Sequence, residues 1–269
     1  MPVGKVKDIN IFYRVDGPIE KHPVLLISGL GSDHRRWQPF IESLKDAYRC
    51  ISFDNRDVGQ SERIEFEYSI NDMVRDVAGL LETLGITSAH VIGNSMGGAI
   101  AQELALTYPN MVEGLVLIST YTSGDHRGSE IFHNLGQLRR RLNRVEYQRH
   151  LLPWLYTFQE YQIPGFIDEA VRKVEDDPFY QEADAYERQI QATITFSSQG
   201  RLEDIKHRTL LIFGEDDIMT PLRFANELHQ GISNSELVIL NGTGHGLLNT
   251  RTAEVVTIVE GFLKNVDKS

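Results

Sequence analysis

Eight residues in the first half of the chain, Val91-Ile92-Gly93-Asn94-Ser95-Met96-Gly97-Gly98, restrict its fold more than any other stretch. An apolar run leads into Gly-x-Ser-x-Gly and then into a helix-forming segment, Ala99-Ile100-Ala101-Gln102-Glu103-Leu104-Ala105. A serine on a sharp strand-to-helix turn sits in strained backbone, and its neighbours on the turn must lack side chains. Gly93 and Gly97 supply that clearance. Such a turn lifts the Ser95 hydroxyl off the sheet edge and aims a helix N-terminus at the group it meets. A glycine-rich turn with an incidental serine would look the same over five residues, so the rest of the chain must decide.

Short apolar runs recur at Ile9–Val15, Val24–Ser28, Cys50–Phe53, His90–Ile92, Gly114–Ser119, Thr209–Phe213 and Glu236–Leu240. Most of those from Val24 onward are nearly continuous rather than alternating. That pattern marks strands buried on both faces, as in a parallel sheet covered by helices. Helical patterns separate them. Ile70–Leu84 places Met73, Val74, Val77, Leu80, Leu81 and Leu84 at helical spacing, and Gly85 stops it. Pro39–Lys45, Ala99–Tyr108, Pro221–Gln230 and Ala253–Lys264 read as helices too. The alternation predicts an α/β fold with right-handed crossovers.

One region breaks the rhythm. Between Tyr121 and Gly200 no strand run occurs, and Ser129–Arg141, Val145–Tyr156, Pro164–Val174 and Tyr180–Ser197 read as helices. The expected organisation is a core from residues 1–120 and 201–269 with a helical cap, 121–200, inserted between strands. A cap of this kind lies over the carboxyl ends of the strands, where such sheets bind ligands.

Composition removes several classes of function. A chain of 269 residues, 41% hydrophobic and 24% charged, suits one large domain with a substantial core. Its start, Met1-Pro2-Val3-Gly4-Lys5, has no apolar run of signal length, and no stretch approaches the roughly 18 apolar residues of a membrane span. Cys50 is the single cysteine, so an internal disulfide is impossible and a cytoplasmic protein is expected. A net charge of −11 argues against nucleic-acid binding. The basic run Arg139-Arg140-Arg141-Leu142-Asn143-Arg144 reads first as a solvated helix face; the other reading is attraction of an anionic substrate.

A serine hydroxyl is a weak nucleophile until a base takes its proton, and a third group must orient that base. Nine histidines are present, and His245 stands out in Gly242-Thr243-Gly244-His245-Gly246. Glycines on both sides let a loop bend and carry the imidazole back over the serine. The acid should follow the preceding strand, where Glu215, Asp216 and Asp217 compete. Asp217 is the expected partner, with Asp216 as the alternative. Charge developing on a substrate oxygen needs backbone N–H donors already in place. Met96, just after the nucleophile, supplies one. Leu30, in Ser28-Gly29-Leu30-Gly31, is the natural second.

In this order and spacing, Ser28-Gly29-Leu30-Gly31, Phe53-Asp54-Asn55-Arg56-Asp57-Val58-Gly59-Gln60-Ser61, Gly93-Asn94-Ser95-Met96-Gly97-Gly98, Gly214-Glu215-Asp216-Asp217 with Pro221, and Gly244-His245 resemble the α/β-hydrolase superfamily along the whole chain. The resemblance implies a mostly parallel eight-stranded sheet flanked by helices. It places nucleophile, acid and base on Ser95, Asp217 and His245, and gives Asp54, Arg56, Gly59 and Ser61 a structural polar network. No metal or organic cofactor is expected. Three departures stand out: Ser28 where histidine is common, Asp57 in place of a second glycine, and Asn94 where histidine often precedes the serine. The Gly-Asn-Ser-Met-Gly-Gly form also occurs in relatives that cleave carbon–carbon bonds, but those usually carry an aromatic residue after the catalytic histidine, where this chain has Gly246.

The overall pattern is closer to carboxylesterases and enol-lactonase-like members. It leads to an expected serine hydrolase of esters or lactones, with a C–C bond hydrolase or a slow-turnover small-molecule receptor as alternatives. Expected pocket residues are His34 and Trp37 after the oxyanion loop, with Leu151, Leu152, Trp154, Leu155 and Phe158 from the cap. The cap residues could equally pack it onto the body. The partner is a small molecule, and the chain is a monomer or homodimer with no membrane partner.

Overall fold

All seven apolar runs of the sequence are strands in the computed structural model, which describes residues 3–6 and 8–268. Met1 and Pro2, read above for a signal segment, lie outside the described residues. The strands are β1 (Val3–Val6), β2 (Ile9–Asp16), β3 (Pro23–Ile27), β4 (Arg49–Phe53), β5 (Ala89–Asn94), β6 (Val112–Ile118), β7 (Arg208–Gly214) and β8 (Ser235–Leu240). They form one sheet in the order β1-β2-β4-β3-β5-β6-β7-β8. β2 pairs antiparallel with both β1 and β4, and all other neighbours are parallel. β1 escaped the sequence reading because a four-residue edge strand with one buried residue carries no apolar run.

The helices are α1 (Gln38–Leu44), α2 (Ile70–Thr83), α3 (Met96–Thr107), α4 (His126–Arg141), α5 (Arg144–Leu155), α6 (Phe158–Tyr161), α7 (Phe166–Glu175), α8 (Ala183–Thr195), α9 (Leu222–Gly231), α10 (Leu247–Thr250) and α11 (Thr252–Val266). Two apolar layers follow from strands that are apolar on both faces. Leu25, Val91, Leu115 and Leu211 meet Val77, Leu81, Ile100, Leu104 and Leu228 of α2, α3 and α9. Val24, Leu26, Ile92, Val116 and Ile212 point the other way, onto Ile41 and Leu44 of α1 and Val255, Val259 and Leu263 of α11. Each such side chain contributes about 1.5–3 kcal/mol of burial. Local signals set the ends of α2. Ser69 and Asp72 form a capping box at its start, and Gly85, at φ +66°, ends it.

The helices α4 to α8 rise from the sheet between β6 and β7. Their base is a narrow antiparallel neck. Ser123 pairs with Ser197, the Gly124 N–H donates to the Phe196 carbonyl at 3.0 Å, and the Ser198 N–H donates to the Thr122 carbonyl at 2.7 Å. Among the described residues no helix is long and apolar enough to cross a membrane.

Candidate active site

Ser95 sits between β5 and α3 with φ +56° and ψ −120°, a conformation that L-residues reach only under constraint. The constraint is steric. A Cβ on Gly97 would overlap the Ile27 carbonyl of β3, and one on Gly93 would overlap the Gly97 carbonyl. Only glycine lets the turn press this closely onto the sheet.

The side chains named from the sequence converge here. His245 Nε2 lies 3.1 Å from Ser95 Oγ, and His245 Nδ1 lies 2.8 Å from Asp217 Oδ2. Asp217 is buried and also accepts hydrogen bonds from the Met219 N–H (2.9 Å), the Thr220 N–H (2.8 Å) and the Thr220 hydroxyl (2.8 Å). Burial alone would raise its pKa. The neighbouring imidazole and these hydrogen bonds outweigh that, so the carboxyl is held below its ordinary value and stays ionised. Asp216 is exposed and turned away, which settles the choice between the two aspartates in favour of Asp217 as the residue that contacts His245. Glu215 instead accepts the Gly242 N–H at 3.1 Å.

Met96 opens α3, where the N–H has no acceptor within its own helix. Leu30 lies on the loop after β3, beside Ser95 in the same cavity. Ser28, where relatives often carry histidine, is buried and donates its hydroxyl to the Asp33 carbonyl at 3.2 Å, fixing that loop.

Ser95 and His245 are shared by two cavities. The larger, about 260 Å³, is walled by the loop after β3 below and by α4, α5, the α7–α8 connection and α8 above. The smaller, about 30 Å³, lies against Tyr121, Phe132, Ile194, Pro221 and Phe224. The serine stands at their junction, with one space to each side of it.

A family model described as alpha/beta hydrolase fold matches residues 22–251. The chain belongs to the α/β-hydrolase family. This hydrolase is 26% identical, over 273 residues and 100% of both chains, to a protein named as a carbamate hydrolase, RutD, from Azorhizobium caulinodans. It superposes on the crystal structure of the enol-lactonase from Burkholderia xenovorans LB400 with a TM-score of 0.89 at 25% identity, covering 98% of this chain and 100% of that one. A meta-cleavage product hydrolase from Pseudomonas fluorescens IP01 shares the fold, with a TM-score of 0.80 at 24% identity over 96% and 95% of the two chains.

The hydrolase departs from the expected pocket lining. Leu151 and Leu155 do line the main cavity. His34 and Trp37 do not. The short helical turn His34–Trp37 faces its first and last residues inward: His34 Nδ1 lies 2.7 Å from the buried Asp54, and Trp37 is fully buried against Phe40. Trp154 and Phe158 line a separate outer groove, with Phe158 78% exposed, and Leu152 is buried within the cap. Much of the cavity wall was missed. Tyr156 packs its ring where any side chain on Gly246 would go, so the cap supplies the aromatic that the sequence lacks after His245. Arg36, Tyr147, Tyr180 and Tyr186 are among the others. The basic run is also not uniform. Arg140 and Arg141 are exposed, Arg144 donates to the Glu175 and Asp177 carbonyls at the end of α7, and Arg139 turns into the cavity.

The Asp54–Ser61 loop forms a buried network. Ser61 donates to the Asp54 carbonyl at 2.6 Å, and Arg56 pairs with Asp76 through two bonds of 2.7 and 2.8 Å. Asp57, the departure from glycine, holds the cap. At φ +68° its buried carboxylate takes two bonds from Arg188 of α8, at 2.9 and 3.0 Å. Gln189, the next residue of α8, bridges the Gly31 N–H (3.0 Å) and the Arg56 carbonyl (3.1 Å). Arg188→Ala strands a buried charge, so we expect a loss of about 2–3 kcal/mol and a melting temperature lower by about 5–10 °C. Arg75→Ala, removing an exposed arginine that bonds Asp72, should stay within about 0.5 kcal/mol in the same thermal unfolding experiment.

Metal-ligand residue types cluster twice among the described residues. Asp33, His34 and Asp54 are already occupied with Arg35 and with each other. His22, His90 and Glu113 lie at the opposite end of the sheet, where His90 Nε2 is 2.9 Å from Asp267.

Proposed function

We propose that this hydrolase cleaves carboxylic esters and lactones through an acyl-enzyme on Ser95. The carrying observation is the continuous relay from Asp217 through His245 to a serine held on a strained turn. His245 Nε2 takes the hydroxyl proton as Oγ attacks the carbonyl carbon. The resulting oxyanion meets the N–H groups of Leu30 and Met96. The imidazolium then gives its proton to the departing alkoxide, which leaves as alcohol or, from a lactone, stays attached as the opened chain. Water, activated by the same imidazole, hydrolyses the acyl-enzyme and restores Ser95. Asp217 stabilises the imidazolium and holds its tautomer. Carbamates form a second substrate class by the same attack, favoured by the end-to-end match to the protein named as a carbamate hydrolase.

The test is a panel of p-nitrophenyl esters of increasing chain length, simple lactones and aryl carbamates, together with labelling by a fluorophosphonate. Turnover in the panel with mass spectrometry placing the label on Ser95 is expected. A folded protein that neither turns over any member nor takes the label would overturn the reading. The pH profile adds an independent check. A histidine base must be neutral to take the serine proton, so activity should fall on acidification while Asp217, depressed below the usual carboxylate range, stays ionised. Activity flat from pH 5 to 9 would contradict a histidine base.

A further inference from the structure

The main cavity holds donors that have nothing to donate to. Arg36 and Arg139 both line it, and the buried Nε of each has no hydrogen-bond partner. The buried hydroxyl of Tyr180, on the same wall, is also unpartnered. Among the described residues neither arginine forms an ion pair. Arg36 carries no side-chain hydrogen bond at all, and Arg139 has one, to the Gln181 carbonyl at 2.6 Å. The two carboxylates that reach the cavity do not compensate them. Asp33 and Asp177 are both tied to Arg35, with bonds of 2.9 and 3.0 Å to Asp33 and two of 2.9 Å to Asp177. The guanidinium of Arg139 lies over three tyrosine rings, at 4.7 Å from Tyr147, 3.7 Å from Tyr180 and 5.0 Å from Tyr186. Ring faces steady a cation without neutralising it. A guanidinium does not shed its proton in proteins, so the cavity that Ser95 lines keeps two guanidinium charges without an ion-pair partner of their own and a net positive balance.

An unpaired buried charge is costly, and so is a buried donor without an acceptor. Three such groups converging on one cavity are what a bound oxyanion would satisfy. We infer that Arg36, Arg139 and Tyr180 form an anion subsite, and that the substrate carries a free carboxylate some atoms away from the bond attacked by Ser95. The inference rests on the serine-hydrolase reading for the bond that breaks, but the subsite itself rests only on the cavity. A cavity of about 260 Å³ is at the small end for ligand sites, which fits a short half-ester, a lactone acid or an acidic carbamate rather than a long acyl chain. Burial also pulls the Arg36 pKa down, as expected of a cation waiting for its counter-charge. The arrangement also explains why the basic run divides. Arg139 is the member of that run that lines the cavity, while Arg144 lies over the far side of the cluster at Tyr180 (4.8 Å) and bonds the end of α7, and Arg140 and Arg141 are exposed.

The experiment compares kcat/KM for monomethyl and dimethyl esters of succinic, glutaric and adipic acids, followed by pH-stat. The wild type should favour one of the monoesters over its diester by 10-fold or more. Arg36→Gln and Arg139→Gln should each cut that preference by about 10- to 100-fold, the usual weight of a charged hydrogen bond. Arg141→Gln, an exposed change on the same helix, should leave it alone. Arg36 lies outside the cap, so its variant separates anion binding from loosening of the tyrosine cluster. Preference for the diester in the wild type, or an unchanged preference in both arginine variants, overturns the subsite. If no ester is hydrolysed, calorimetric titration of Ser95→Ala with glutarate and with glutaramide decides the subsite alone. Tighter binding of glutarate that is lost with Arg36→Gln upholds it, and equal or absent binding of the two overturns it.

Discussion

Ser95→Ala should reduce kcat on any substrate of this hydrolase by about 10⁴- to 10⁶-fold, up to about 8 kcal/mol of transition-state stabilisation, without unfolding the protein. The size of the effect follows from how little else in the cavity could replace the hydroxyl. Cys50 is the single thiol, and it is buried in β4 with its pKa pushed up to about 12 by burial and by Asp16, so it is inert and remote. The residual rate should be that of the positioned N–H groups and binding alone. The fold should survive because the turn's shape is imposed by Gly93 and Gly97 pressed against the backbone of β3 and α3, and by the Ser95 N–H bonding the Ile118 carbonyl at 2.9 Å. Alanine keeps all of these. The paired measurement is steady-state turnover with thermal unfolding of both proteins. Activity lost together with a melting temperature lower by more than about 5 °C would mean the serine was structural, and unchanged turnover would remove it from the mechanism.

What could be read from the sequence, and what could not, divides along a physical line. Ser95, Asp217 and His245 sit on turns whose glycines and strand boundaries are local features. The apolar runs feeding the Ser95 and Asp217 turns are buried along nearly their whole length, which makes them stand out in the chain, whereas the sheet order, with β4 placed before β3, is not a local feature. The cavity wall is different. It depends on which face of each cap helix turns inward, and the cap helices make their contacts over long separations. His34 and Trp37 flank Arg36, yet they point into the core while Arg36 points into the cavity, because the Asp33-capped turn His34–Trp37 brings its ends onto one side. An arginine between two residues destined for the core was a signal that periodicity could have supplied. Tyr156 left no such signal. Its place over Gly246 depends on how the cap sits on the body, which the neck, the Gln189 bridge and the bonds that Arg188 donates to Asp57 fix together over long separations in sequence.

The choice among Glu215, Asp216 and Asp217 can be put to a direct test. Asp217→Asn should lower kcat by about 10⁴-fold, about 5.5 kcal/mol, while Asp216→Asn should leave it within about two-fold. An asparagine amide at 217 can present its N–H to His245 Nδ1 and so favour the wrong tautomer, with the proton on the nitrogen that faces Ser95. It also removes the negative charge that steadies the imidazolium. Little relief is available nearby, because Thr220 Oγ1, 3.3 Å from His245 Nδ1, can accept a hydrogen bond but carries no charge. The same change acts on stability with a definite sign. A carboxyl whose folded pKa lies below its unfolded value stabilises the protein above the unfolded pKa, and that contribution fades as pH falls through the folded one. Asp217→Asn should therefore destabilise the fold at pH 7 and converge on the wild type in strong acid. Equal losses of turnover in both variants would mean that the exposed Asp216 reaches His245 in the working enzyme, and a normal rate for Asp217→Asn would mean that the imidazole works without a buried anion behind it.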